Sequence, residues 1–149
     1  MLLTPHILAG VAIITNVQNP ALGLILVFLS HYFFDCFPQT EYSIKNIKEG
    51  CWSKTMPDFL KVFSDITLAM FIVFFLINYN PLILAVIFLA ILPDGITFLS
   101  CVFPKNKLFI AHQKVHNAIN EIGENKKIPV FWGIFSQIAV MALAIFFLL

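Results

Sequence analysis

The chain has 149 residues, 60% of them hydrophobic and only 11% charged, with a formal net charge of +1. Soluble domains carry about 25% charged residues, and seventeen Phe are too many to hide in a water-soluble core of this size. The composition points to one integral membrane domain over residues 1–149, and without a basic arm no nucleic-acid partner is expected.

The first apolar segment runs from Thr4 to about Val17, with Thr4-Pro5 placed as N-cap and first helical residue. Gly10 lets a neighbouring helix come close. The second segment opens at Pro20 and ends near Phe37, and a polar loop follows from Pro38 to Pro57. The third runs from Asp58 to about Ile77. The fourth opens at Pro81, passes Asp94 and fades near Phe103. After the polar stretch from Pro104 to Lys127, the fifth segment, Ile128 to Leu149, is 22 residues long without a charge. A spanning helix needs about 20 apolar residues. The expected fold is therefore all-α, a polytopic transmembrane bundle of about five helices.

Charge gives the orientation. The basic residues are nine Lys, and all of them, with every His and every acidic residue, fall on one side of a five-span trace. The turns Asn16–Pro20 and Asn78–Pro81 on the other side carry no charge. The positive-inside rule makes the charged side, and the N-terminus, cytoplasmic and the C-terminus external. Tyr32, Tyr42, Trp52 and Trp132 lie near that side as an interfacial belt would. Cys36, Cys51 and Cys101 map there too and are expected as reduced thiols. No basic residue precedes the first apolar run, so no cleavable signal peptide is expected. Asn19-Pro20 and Asn80-Pro81 each open a helix that leads to an acid, Asp35 and Asp94. This echo suggests two related helical hairpins plus a C-terminal helix.

The candidate chemistry sits at that same level. His31 and Asp35 are spaced i, i+4 and share a helix face, as do His112 and His116. Two imidazoles at that spacing are a usual way for one helix to offer two ligands to zinc. His6, Asp65 and Asp94 reach a comparable depth from three other segments. The expected metal ligands are His6, His31, Asp35, Asp94, His112 and His116, with Asp65 as ligand or general base. Nitrogen and oxygen donors of this kind suit Zn, with Mn or Fe as alternatives. Each feature also has a plainer reading. His31 with Asp35 is a helix-end hydrogen bond, and Asp65 pairs with Lys61. His112 and His116 edge an interfacial helix whose apolar stripe is Leu108, Val115, Ile119 and Ile122. Convergence of all the groups decides between them.

Thr4-Pro5-His6-Ile7-Leu8-Ala9-Gly10 resembles the opening of the membrane-bound metal-dependent hydrolases, a bacterial inner-membrane family with a LexA-regulated type member. Leu92-Pro93-Asp94 resembles that family's Leu-Pro-Asp, and His112 and His116 stand where it has two histidines near the interface. Gly95-Ile96-Thr97 follows where the family carries a second Asp and a His. The resemblance implies a metal-dependent hydrolase at the cytoplasmic face of a prokaryotic inner membrane. The interfacial position suits a phosphoester or phospholipid headgroup as substrate. The alternative expectation is a non-enzymatic membrane protein in which the His/Asp cluster is structural or holds a metal structurally.

Overall fold

A computed structural model describes residues 1–123 and 129–149. Lys126, Lys127 and the start of the fifth segment at Ile128 lie outside these described residues. Among the described residues seven α-helices follow in order: α1 Leu3–Asn16, α2 Pro20–Asp35, α3 Lys45–Lys48, α4 Met56–Leu76, α5 Pro81–Val102, α6 Lys107–Gly123 and α7 Val130–Leu148. One 3-10 turn, Trp52–Lys54, lies between α3 and α4, and no strand occurs among the described residues.

Among the described residues three helices, α4, α5 and α7, are long and apolar enough to cross a membrane. The helices α1 and α2 are apolar but shorter, 14 and 16 residues. At 1.5 Å per residue they measure roughly 21 and 24 Å, against a hydrocarbon core of about 30 Å. Their environments differ. α1 packs against α2, α4, α5 and α7, and its Ile7, Leu8 and Val11 are fully buried. It is apolar on every side because it is the core of the bundle. The surrounding helices turn large apolar side chains outward, among them Phe71 and Phe75 of α4, Phe88 of α5 and Phe146 of α7. Soluble proteins rarely show contiguous apolar surface on this scale, and lipid is the solvent that suits it.

The ends of the helices explain their positions. Asn19 Oδ1 accepts from the Ala21 and Leu22 amides at 3.0 and 3.2 Å, and Asn80 Oδ1 from the Leu82 amide at 2.9 Å. Each Asn-Pro pair is thus an N-cap with proline in the first turn. The two expected hairpins differ beyond that. Asp35 closes α2, whereas α5 continues past Asp94 to Val102. Thr4 does not cap α1 as expected, because the helix already begins at Leu3. The cap comes from α4. Asp65 accepts from the Leu3 amide at 2.7 Å and the Thr4 amide at 3.2 Å.

Close approaches hold the polar end together. A Cβ on Gly10 would stand 3.1 Å from Ala90 Cβ of α5 and 3.2 Å from Val27 Cγ1 of α2, so glycine lets three helices meet just below His6. A Cβ on Gly133 of α7 would meet the Gln39 carbonyl carbon at 2.8 Å. Ser136 bonds the Pro38 carbonyl, and Gln137 Nε2 donates to the Thr40 carbonyl at 2.9 Å. Gln137 Oε1 accepts from the Leu2 amide at 3.0 Å. The strand of loop leaving α2 and the start of α1 are both fastened to α7.

Candidate metal centre

Four helices deliver side chains to one point at the polar end. His6 enters from the second turn of α1, His31 and Asp35 from the last turns of α2, Asp94 from α5 and His116 from α6. His6, His31 and Asp35 are each 1% exposed and His116 2%. Ionisable groups this deep in a membrane-type bundle carry a desolvation cost, and they persist when they are paired with one another or with an ion.

Helix α6 is largely exposed and turns both charged and large apolar side chains outward. His116 points inward, while Leu108, Val115 and Ile122 are 78%, 58% and 62% exposed. Three of the four residues of the apolar stripe recognised in the sequence therefore face outward and Ile119 is half-buried, as on a helix lying at a lipid interface. The face beside that stripe carries His112, His116 and Asn120 at four-residue spacing, with His112 and His116 reaching α2 and His116 also reaching Asp94 of α5.

The tautomer of His31 is fixed by its surroundings. Its Nδ1–H donates to the Ala90 carbonyl at 2.7 Å. A carbonyl only accepts, so the neutral ring carries its lone pair on Nε2. Pro93, one turn beyond Ala90 inside α5, lacks the amide that would bond the Leu89 carbonyl, so the acceptor lies in a loosened turn. His31 Nε2 then stands 3.2 Å from His116 Nε2 and 3.3 Å from Asp35 Oδ2. His116 Nε2 is also 3.3 Å from Asp35 Oδ2. Asp35 Oδ2 is buried and has no hydrogen bond in acceptable geometry. Asp35 Oδ1 is held on the other side by His6 Nε2–H at 3.2 Å and by the Met1 amine at 3.0 Å.

These distances bear on whether a metal fits. Ligand atoms about 2.0–2.1 Å from a tetrahedral centre lie roughly 3.3–3.4 Å from each other. The His31, His116 and Asp35 atoms form a triangle with edges of 3.2, 3.3 and 3.3 Å. Asp94 lies slightly farther off, Oδ1 3.5 Å from His116 Nε2 and Oδ2 3.8 Å from His31 Nε2. The donor set is two imidazoles and two carboxylates, which could hold a metal ion. Buried His/Asp groups that could hold a metal are thus present. A proton on His116 Nε2 is the other way to separate the two nitrogens, and the Asn120 amide 3.4 Å from His116 Nδ1 sets which nitrogen carries it.

Of the remaining expected residues, one joins the cluster and two lie elsewhere. His6 belongs to the cluster as expected: with His31 and Asp35 it forms a second group that could hold a metal, it stacks on His31 with ring centroids 4.0 Å apart, and it donates to Asp35 Oδ1. His112 is one turn from His116 and bonds the Tyr32 hydroxyl through Nε2 at 2.9 Å, outside the converging donors. Burial, and then the neighbouring His116 and His31, hold its pKa below the usual histidine value. Asp65 is away from the cluster. Besides the two α1 amides, it accepts from the Thr4 hydroxyl at 2.5 Å and from the Tyr42 hydroxyl at 3.3 Å. Its two oxygens are engaged by four donors, which makes it the anchor of α1 and leaves little capacity for taking a proton. Nor does it pair with Lys61, which lies 3.6 Å from Asp58 instead. Sequence reasoning passed over Asn120, although its four-residue step from His116 was the available signal. Nothing in the sequence announced the Ala90 carbonyl.

Compared with known proteins, the chain matches no protein-family model, no curated protein and no solved structure.

Proposed function

We propose that this chain is a five-span protein of a prokaryotic inner membrane that binds one divalent metal, zinc by preference, and acts as a metal-dependent hydrolase on phosphoester-bearing substrates at the cytoplasmic face. The observation that carries the reading is the triangle of His31 Nε2, His116 Nε2 and Asp35 Oδ2, whose edges of 3.2, 3.3 and 3.3 Å match a tetrahedral shell. The likeness of Thr4–Gly10 and Leu92-Pro93-Asp94 to the membrane-bound metal-dependent hydrolases supports the activity, and the outward apolar stripe of α6 supports the interfacial site.

In this reading His31, His116 and Asp35 hold the ion, and one oxygen of Asp94 completes the set. A bound divalent cation supplies Lewis acidity and brings the pKa of a water to about 7. His6 keeps Asp35 turned so that Oδ2 faces the imidazoles, and the Ala90 carbonyl keeps His31 in the ligating tautomer. Asp94 is the carboxylate of the cluster that faces open space, with a side chain 36% exposed. Its free oxygen is placed to accept a proton there, a role that Asp65 is badly placed to take.

The competing reading is a purely protonic network. It is favoured by the Asn120 amide on His116 Nδ1, which would leave the proton on Nε2. Metal content of the purified full-length protein, measured by mass spectrometry beside hydrolysis of a generic phosphodiester, separates the two. About one zinc per chain with chelator-sensitive hydrolysis supports the enzyme. A metal-free parent protein with no hydrolysis overturns it.

A further inference from the structure

The helices α4 and α5 both pack on α1 but barely meet each other. The gap between them is a cavity of about 480 Å³, within the roughly 300–1,000 Å³ range of small-molecule sites. Val62 and Ile66 of α4 form one wall, and Phe88 and Ile91 of α5 the other. Phe88 is 64% exposed on the outer surface while lining the cavity, so the cavity opens sideways between two helices that are each apolar enough to span a membrane. Toward the polar end the lining changes to Asp94, His116, Asn117, Lys48 and Glu41, the last paired with the Met1 amine at 2.6 Å. Lys48 makes no salt bridge among the described residues. The short helix α3 that carries it is fixed over the cavity by Asp58, which accepts from the Ile47 amide at 3.2 Å.

We propose that this groove takes one acyl chain of an anionic phospholipid. The chain enters laterally from the bilayer and lies between Ile66 and Phe88, and the phosphate reaches Lys48. The headgroup ester then lies beside Asp94 and His116. An amphiphile is the occupant whose chemistry matches a cavity that is apolar along two spanning helices and polar only at the interface. The Lys48 ammonium attracts the phosphate of either headgroup but repels a choline cation beside it, which favours a net negative headgroup over a zwitterion. As a statement of substrate class this rests on the hydrolase reading, but occupancy of the groove does not.

Gly95 gives a clean test. It lines the cavity, and a Cβ there would meet nothing within 4 Å. The Cβ of Gly95→Phe therefore meets no neighbour, the ring it carries is expected to narrow the polar end of the groove, and the change removes a glycine from a helix interior. The full-length protein, in phosphatidylcholine vesicles, is exposed to phosphatidylglycerol carrying a diazirine in one acyl chain, with diazirine-phosphatidylcholine as the second probe. Crosslinks are mapped by peptide mass spectrometry. Labelling concentrated on Val62, Ile66, Phe88 and Ile91, and reduced at least fivefold by Gly95→Phe, is expected. Lys48→Gln should lower labelling by the glycerol lipid and leave the choline lipid unchanged. Labelling spread evenly over outward residues such as Phe146, and indifferent to Gly95→Phe, overturns the groove. Equal response of both lipids to Lys48→Gln overturns the headgroup assignment. If Gly95→Phe does not fold, Ile91→Trp, which narrows the groove from its α5 wall, carries the same expectation. Metal content is measured on the same samples. Groove labelling in a metal-free parent protein leaves the lipid site standing and removes the hydrolase reading, and a metal-loaded protein without groove labelling does the reverse.

Discussion

His31 Nε2 and His116 Nε2 face each other at 3.2 Å while His31 gives its only neutral-state proton to the Ala90 carbonyl. Two lone pairs at that separation repel, so a proton or a cation lies between them. The cation reading predicts that His116→Gln lowers bound zinc roughly tenfold or more. His112→Gln, four residues away on the same helix face, should leave zinc within about twofold, since His112 bonds Tyr32 and not the cluster. Elemental analysis of the two variants purified side by side checks this. Equal loss from both would mean that the histidines act through the fold of α6 and not as ligands.

His6 should matter through Asp35. It donates to Asp35 Oδ1 and stacks on His31, so removing it frees the carboxylate to rotate. Groups that orient a ligating carboxylate typically contribute about 10–100-fold to metal affinity. On the cation reading, His6→Phe keeps a ring against His31 and should weaken zinc binding within that range. A competition titration against a zinc chelator measures the effect, and an unchanged affinity would remove His6 from the site. His6→Asn restores a donor and should recover part of the loss.

Much of the layout was legible in the sequence because it follows from period and punctuation. Asn19-Pro20 and Asn80-Pro81 announced helix starts, and the structure places caps there. The convergence of His6, His31, Asp35, Asp94 and His116 could be expected because each lies at the same depth from a turn. Depth does not fix rotation about a helix axis, however, and rotation sent His112 to Tyr32 and Asp65 to the start of α1. The central place of α1 was also hidden. A helix apolar on all sides reads alike whether protein or lipid surrounds it, and only packing by four neighbours distinguishes the two. The buried Gln137, which ties α7 to the start of α1 and to Thr40, gave no signal in an otherwise apolar segment.

Asp65→Asn should separate folding from the site. The carboxylate accepts from two α1 amides, the Thr4 hydroxyl and Tyr42. An amide has one accepting oxygen, and its NH2 would face donors. Loss of charge-assisted bonds at a helix N-terminus costs about 2–3 kcal/mol. Thermal unfolding in detergent should show a lower midpoint, while zinc content measured well below that midpoint stays at the parent level. Loss of metal with unchanged stability would restore Asp65 to the site.

Tyr42 links the same anchor to alkaline pH. Burial, and then the charge and hydrogen bond of Asp65, raise its pKa above the ordinary phenol value. The folded protein therefore keeps the phenolic proton at pH values where the unfolded chain has released it. Its contribution to stability is fully present below the unfolded value of about 10 and declines as pH rises from there toward the folded value. Below that window Tyr42→Phe should cost only the 3.3 Å hydrogen bond to Asp65, and above it the gap between variant and parent should close. Unfolding midpoints of both proteins, taken in steps from pH 8 upward, give the comparison. The nine lysines titrate at alkaline pH in both chains, so they drop out of the difference. A gap that stays constant across the series would mean that the phenol and the Asp65 carboxylate are uncoupled, and the anchor at the start of α1 would then rest on the Leu3 and Thr4 contacts alone.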